Sequence, residues 1–221
     1  MLIVWGYANM NEEELKNFVK FLLEANVIKI GDFTLKSGKK APYFINTGAF
    51  DSGKKILTLG EYYAKAIVKY FGSEFDVVFG PAYKGIPLAV ATVISLQQKG
   101  INKGFCFNRK EAKQYGDKGQ LIGRFLDKNT RIVIVDDVIT TGETKKEVIN
   151  FLKEQIDDVN ICGVVVLIDR EEKIASGKTA VQEFEASTGV NVFSIAKITE
   201  IYKFLPNKQI IEEYLKKEGI L

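Results

Sequence analysis

The chain has 221 residues with 46% hydrophobic and 27% charged side chains, the size and balance of a single globular domain, which excludes a disordered or low-complexity chain and argues against a multi-domain assembly. Lys and Arg number 31 against 28 Asp and Glu, a net charge of +3, too mild to mark a nucleic-acid binder, so local clusters carry more than the total. Histidine is absent, and with it go Ser-His-Asp triads, Cys-His pairs and histidine-ligated metals. Cys106 and Cys162 lie inside apolar runs and read as buried thiols of a reducing compartment rather than as a disulfide or a metal site. No apolar run approaches the roughly 18 residues of a membrane span. The opening Met1 to Val4 is too short for a signal-peptide core and lacks a basic flank, so a cytoplasmic protein with no membrane partner is expected.

Asn11 is a plausible cap for a helix that presents Leu15, Phe18, Val19, Leu22 and Leu23 on one face. Thr34 to Phe50 mixes aromatic residues with Ser37-Gly38, Pro42 and Gly48, which predicts short strands and turns, and Ile56 to Tyr70 returns to helical spacing. About residues 1–70 are expected to form an N-terminal hood, and about 71–200 the core of a single domain spanning 1–221. From Phe75 the pattern changes. Phe75 to Phe79, Gly104 to Phe107, Arg131 to Val135, Ile161 to Ile168 and Val190 to Ile195 are short runs rich in Val, Ile and Phe. They predict buried strands. Helical segments fall between several of them at Pro87 to Gln98, with proline at the first helical position, at Glu143 to Lys153, and at Thr179 to Ala186 closed by Gly189. Alternation of this kind predicts an α/β fold with a central, mostly parallel twisted sheet flanked by helices.

Ligands of such sheets bind outside the carboxyl ends of the strands. Four ends are chemically loaded: Gly80 to Gly85 with Tyr83 and Lys84, Asn108-Arg109-Lys110, Asp136-Asp137, and Asp169-Arg170. Any one of them alone is where charged chain meets water. The strongest local pattern runs from Ile132 to Thr144: an apolar strand delivers Asp136 and Asp137 to the sheet edge, then Val138-Ile139-Thr140-Thr141-Gly142-Glu143-Thr144 turns into a helix. Free N–H groups at a helix start, a glycine and hydroxyls make an anion cradle. The paired acids would repel that same phosphate, so they must address neighbouring sugar hydroxyls or a cation. A phosphosugar suits both halves. The bland alternative is a strand followed by a helix capped by Thr140 or Thr141.

This thirteen-residue pattern resembles the ribosyl-phosphate signature of the type I phosphoribosyltransferases. Further segments resemble those of the orotate phosphoribosyltransferase family within it, and in the same order. They are Phe33 to Gly38, Pro42 to Asn46, Phe79 to Pro87, Phe107 to Lys113 and Leu167 to Glu172. The resemblance implies transfer of ribose 5-phosphate from 5-phosphoribosyl 1-diphosphate to orotate, giving orotidine 5'-monophosphate and diphosphate with magnesium. It assigns Asp136 and Asp137 to the ribose hydroxyls, Thr140 to Thr144 to the 5'-phosphate, and Val138 and Ile139 with them to phosphoribosyl diphosphate. Lys36, Tyr83, Lys84, Arg109, Lys110, Lys113 and Tyr115 go to the phosphate groups. Phe44, Ile45, Thr140 and Arg170 go to orotate, and Lys113, Asp136 and Asp137 are the catalytic set. Magnesium is expected on substrate oxygens and water, with no protein ligands.

Lys110 to Gly123 has glycines at 116, 119 and 123 and no apolar period, so it is expected to be a loop, either a solvated one or a lid. In the resembled family this segment reaches the active site of the other subunit of a homodimer. Two departures stand out. Gln114-Tyr115 replaces the acid-His of the family's loop, leaving a neutral phenol as donor, and Ile45 stands where a second aromatic residue is common. A purine phosphoribosyltransferase, or a non-enzymatic regulator on the same fold, would share the cradle. The former has no need of Arg170 facing a carboxylate. The latter would bind nucleic acid or a nucleotide through a basic face, and a plain nucleotide-binding structural protein would leave the loop cations idle. The mild charge and the loop lysines weigh against these two.

Overall fold

A computed structural model of the chain describes residues 10–34, 38–113, 119–139 and 142–221, with all of their side chains except those of 112, 113, 143 and 144. Helix α1 (Glu12–Glu24) starts at its expected cap. The Asn11 side chain accepts the Glu14 N–H at 2.9 Å, and the Glu14 carboxylate accepts the Asn11 N–H at 3.0 Å, a reciprocal cap of the kind that sets a helix start. Leu15, Phe18, Val19 and Leu22 form its buried face. Strands β1 (Ile28–Thr34) and β2 (Lys40–Ile45) pair as a separate antiparallel hairpin. A single 3-10 turn at Thr47–Ala49 leads to α2 (Gly53–Phe71). These are the strands, turns and helix expected before Tyr70, with the first strand beginning earlier, at Ile28.

The chain then alternates β3 (Val77–Phe79), α3 (Gly85–Gln98), β4 (Gly104–Lys113), β5 (Gly119–Gly123), β6 (Arg131–Val138), α4 (Glu143–Gln155), β7 (Asn160–Asp169), α5 (Ala180–Thr188), β8 (Val192–Lys197), α6 (Ile198–Ile201) and α7 (Lys208–Lys217). The six strands from β3 onward form one sheet in the order β5-β4-β3-β6-β7-β8, parallel at every pairing except β4–β5. This is the expected α/β architecture. Strand β6 explains the unbroken apolar runs: Ile132 and Ile134 join the cluster that holds Val148, Leu152 and Phe184, whereas Val133 and Val135 join the cluster of Leu59, Ile67 and Leu96. Alternate side chains thus serve helices on opposite faces, and neither face meets water.

Several sequence expectations are corrected. The segment from Lys110 to Gly123 is not a loop throughout: β4 continues to Lys113, and Gly119–Gly123 returns beside it as β5, with Phe107 opposite Ile122 and Lys113 opposite Gly119. A two-stranded ribbon at a sheet edge is held by backbone pairing and needs no buried face, so it leaves no apolar period to read. Helix α3 begins at Gly85, which makes Pro87 its third residue rather than its first. The missing N–H still falls in the first turn, where no intrahelical acceptor waits for it. Strand β3 is shorter than Phe75 to Phe79, and β8 is shifted to Val192–Lys197. Thr179 is the cap of α5 rather than its first residue.

Candidate active site

Strands β3, β4, β6 and β7 run parallel, so all four loaded ends lie at one edge. The chain leaves β3 toward β4 on one side, and β6 flanks β3 on the other. The β3–β6 boundary is therefore the switch point where such sheets open a crevice. Asp136 and Asp137 arrive there on β6, and Lys84 on the loop after β3.

The two carboxylates are anchored differently. Asp136 is buried. One of its oxygens accepts the Asp137 N–H at 2.8 Å, the other takes the Lys145 ammonium at 2.9 Å, and its backbone carbonyl accepts the Tyr63 hydroxyl at 2.7 Å. Asp137 accepts the Val138 N–H at 2.8 Å on one oxygen, and on the other the Thr47 hydroxyl at 2.7 Å and the Lys84 ammonium at 3.0 Å. Lys84 also reaches the Thr47 hydroxyl at 3.0 Å. Their acidities diverge accordingly. Burial raises the pKa of Asp136, with Lys145 opposing it only in part. Burial also acts on Asp137, but the Thr47 hydrogen bond, Lys145, the Val138 N–H and Lys84 together pull it below the usual carboxylate value. Both acids are engaged by lysines of this chain, Asp136 by Lys145 and Asp137 by Lys84. Beside them Thr47, Phe50, Ile56, Leu59, Leu88 and Leu167 line an open cleft.

The loop after β3 is shaped by close backbone approach: a Cβ on Gly80 would stand 2.0 Å from the Gly85 carbonyl oxygen. The Ala82 N–H donates to the Asn108 side chain at 2.9 Å, tying this loop to β4. Tyr83 is 68% exposed, and the Lys110 ammonium stands 5.0 Å from its ring centre. Arg109 is half-buried. Gly142 adopts φ 81° at the start of α4, the left-handed turn that glycine makes without steric cost. Val138 is half-buried and Ile139 buried.

At the next strand end, Arg170 is largely enclosed. Its guanidinium pairs with the Glu172 carboxylate, stands 5.5 Å from the Tyr43 ring centre, and leaves Nε buried without a hydrogen-bond partner. Burial lifts the Tyr43 phenol to about 12 despite the arginine beside it. Alternation along β2 turns Tyr43 and Ile45 inward and Phe44 outward, where Phe44 rests against Phe33 at 5.6 Å between ring centres. Phe44 and Arg170 therefore lie on opposite faces of the hairpin. Lys36, Tyr115, Thr140 and Thr141 lie outside the described residues, and the side chains of Lys113, Glu143 and Thr144 outside the described side chains. Thr47, Tyr63 and Lys145 were not legible as site residues. Only Lys145 left a trace, since a lysine in the first turn of a helix opposes the helix dipole and implies an acid nearby.

A model of the phosphoribosyl transferase domain matches residues 46–195. The chain belongs to the phosphoribosyltransferase family. It is 47% identical to the orotate phosphoribosyltransferase of Bifidobacterium animalis subsp. lactis over 93% of this chain and 90% of that protein, and 40% identical to that of Clostridium acetobutylicum over 95% and 99%. The crystal structure of orotate phosphoribosyltransferase from Francisella tularensis aligns with a TM-score of 0.79 at 34% identity, covering 91% of this chain and 98% of that one. Within the family, then, its place is among the orotate phosphoribosyltransferases.

Proposed function

We propose that the chain is a pentosyltransferase that moves ribose 5-phosphate from 5-phospho-alpha-D-ribose 1-diphosphate to N1 of orotate, releasing orotidine 5'-monophosphate and diphosphate in de novo pyrimidine (UMP) biosynthesis. One observation carries the assignment to orotate: the carboxylate pair and the Gly142 turn at the end of β6 stand beside a largely enclosed arginine at the end of β7.

In this reading orotate reacts with its N1 proton already lost to solvent. The C1'–N1 bond forms as the C1'–O bond to diphosphate breaks, with positive charge developing on the ring in the transition state and negative charge on the leaving group. Asp137, held below the usual carboxylate pKa, is ionised to take the ribose hydroxyls and face the developing cation. Asp136 supports it through the Asp137 N–H. The turn from Val138 to Thr144 receives the 5'-phosphate on first-turn N–H groups of α4. Lys84 exchanges Asp137 for the diphosphate, joined by Lys36, Tyr83, Arg109, Lys110, Lys113 and Tyr115. Arg170 pairs with the orotate carboxylate, with Ile45 and Thr140 as its other contacts; Phe44, turned to the other face of the hairpin, would have to swing inward to stack on the base. Among the described residues no group of three or more acidic or Cys side chains could hold a metal, and both aspartates are engaged by lysines. Magnesium, which binds few carboxylates and keeps its water, would be held mainly by diphosphate oxygens and water, where it would offset the charge of the leaving group.

A homodimer belongs to the same reading. Cys106 pairs with Phe79 at the end of β3, and β4 runs on to Lys113. At about 3.3 Å per residue that carries Lys113 roughly 23 Å past the end of β3 and about 10 Å past Val138 at the end of β6, a projection suited to a neighbouring subunit's site. The chain is read as one domain of hood and core. No helix among the described residues is long and apolar enough to cross a membrane, and the two free cysteines accord with a cytoplasmic enzyme. With pure protein, 5-phosphoribosyl 1-diphosphate and magnesium, diphosphate release is expected with orotate and not with adenine, guanine or hypoxanthine. Release with a purine and none with orotate overturns the reading.

A further inference from the structure

The turn after β7 holds two adjacent glutamates in opposite directions. Glu172 faces Arg170. Glu171 adopts φ 53°, a left-handed conformation that costs a residue bearing Cβ, and its carboxylate is spent elsewhere. It accepts the Thr199 hydroxyl at 2.6 Å and the Thr199 N–H at 3.2 Å, both on one oxygen, while the Lys197 ammonium stands 4.0 Å from the other. The Glu171 N–H in turn donates to the Asp169 side chain at 2.9 Å. Asp169 is also paired with Lys197 across β7 and β8. The backbone on both sides of Arg170 is thus pinned to the β8–α6 junction by polar contacts that do not involve the guanidinium.

Two consequences follow for Arg170. The backbone that aims its side chain under Tyr43 is held against rotation beside a residue that stands in a left-handed turn. The second glutamate charge is drawn off to Thr199, so that a single internal carboxylate opposes the guanidinium and its Nε stays without a partner. An arginine facing two internal carboxylates would attract a third only weakly.

We propose that Glu171 and Thr199 are positioning residues for recognition of the base carboxylate, acting through Arg170 without touching substrate. This rests on the reading that Arg170 pairs with orotate. The test compares Arg170→Ala, Thr199→Val, Glu171→Gln and Thr199→Ser by calorimetric affinity for orotate and for 5-phosphoribosyl 1-diphosphate, and by kcat at saturation. Thr199→Val and Glu171→Gln are each expected to weaken orotate binding by about three- to tenfold, the value of one hydrogen bond in an aligned site. Diphosphate-sugar affinity and kcat should stay within about twofold, Thr199→Ser should restore orotate binding, and the Val/Gln double variant should be no worse than either single one. Glu171→Gly keeps the backbone conformation while removing the latch, and gives the same readout should Thr199→Val fail to fold. Orotate affinity that falls in Arg170→Ala but not in the latch variants overturns the proposal and leaves the assignment of Arg170 standing. Unchanged affinity in Arg170→Ala overturns both. Parallel losses of both substrates and of kcat in the latch variants would assign the contacts to general stability instead.

Discussion

Lys145 and Asp136 form an ion pair at 2.9 Å with only 12% and 11% of their side chains exposed. The lysine occupies the first turn of α4, where the helix dipole disfavours a cation, so the acid beneath it accounts for its place. Lys145→Met leaves a buried carboxylate without its counter-charge and is expected to destabilise the fold by about 3 kcal/mol in denaturant titrations at pH 7. Adding Asp136→Asn should recover most of that loss. Equal stability in the single and double variants would mean the two residues are not coupled.

Subunit sharing makes a different demand. If the β4–β5 ribbon serves the neighbouring site, a Lys113→Ala chain and an Asp137→Asn chain are each inactive, yet a mixed dimer holds one site built from two intact halves. Mixing them should restore about a quarter of the parent activity once subunits have exchanged at random. Absence of recovery after exchange has been confirmed by mass-tagged subunits argues for a site completed within one chain.

The loop tyrosine is tested by exchanging its donor. Tyr115→Phe should slow the single-turnover chemical step by the value of one hydrogen bond to a charged group, on the order of 1.5–3 kcal/mol. Tyr115→His should match or exceed the parent, with a new dependence on pH near the imidazole value of about 6.5. Parent-like rates in both variants would make Tyr115 a spacer and leave the leaving group to Arg109, Lys110 and Lys113.

Acid stability has an address at the opposite end of the sheet. Arg131 donates to both carboxylate oxygens of Asp76, at 3.0 and 3.1 Å, and holds its pKa down to about 2. A depressed carboxylate stabilises fully above its unfolded value of about 3.9, and that contribution is lost as pH falls through the folded value. Asp76→Asn should therefore cost on the order of 1 kcal/mol at pH 7, a figure reduced for the pair's partial exposure. In urea titrations the gap from the parent should close progressively below about pH 4. A gap that widens toward low pH contradicts the assignment.

What was legible in the sequence follows from what each element buries. Ile132 to Val135 announced a strand because both of its faces are covered, and Asp136, Asp137 and Gly142 were legible because they are neighbours along the chain. The β4–β5 ribbon was not, because its pairing is made by backbone. Helix α7 has Ile211, Tyr214 and Leu215 at helical spacing, but the preceding Asn207 sits at φ 54° and makes no side-chain cap, so the pattern lacks a start signal. Thr47 comes to Asp137 from 90 residues away and Tyr63 to Asp136 from 73, distances over which no local spacing rule operates.

Helix α7 closes over the β1–β2 hairpin. Lys39, beside that hairpin, pairs with Glu218 at 2.6 Å across 179 positions, and the Tyr43 ring above Arg170 meets Tyr214 edge-on at 6.1 Å. During synthesis these contacts have no partners until α7 leaves the ribosome, so the wall around Arg170 can form only after the strands of the sheet have emerged. The parallel sheet beneath it can already be assembling. A chain cut short within α7 would carry the phosphate cradle and the aspartates, yet lack the wall that encloses the arginine.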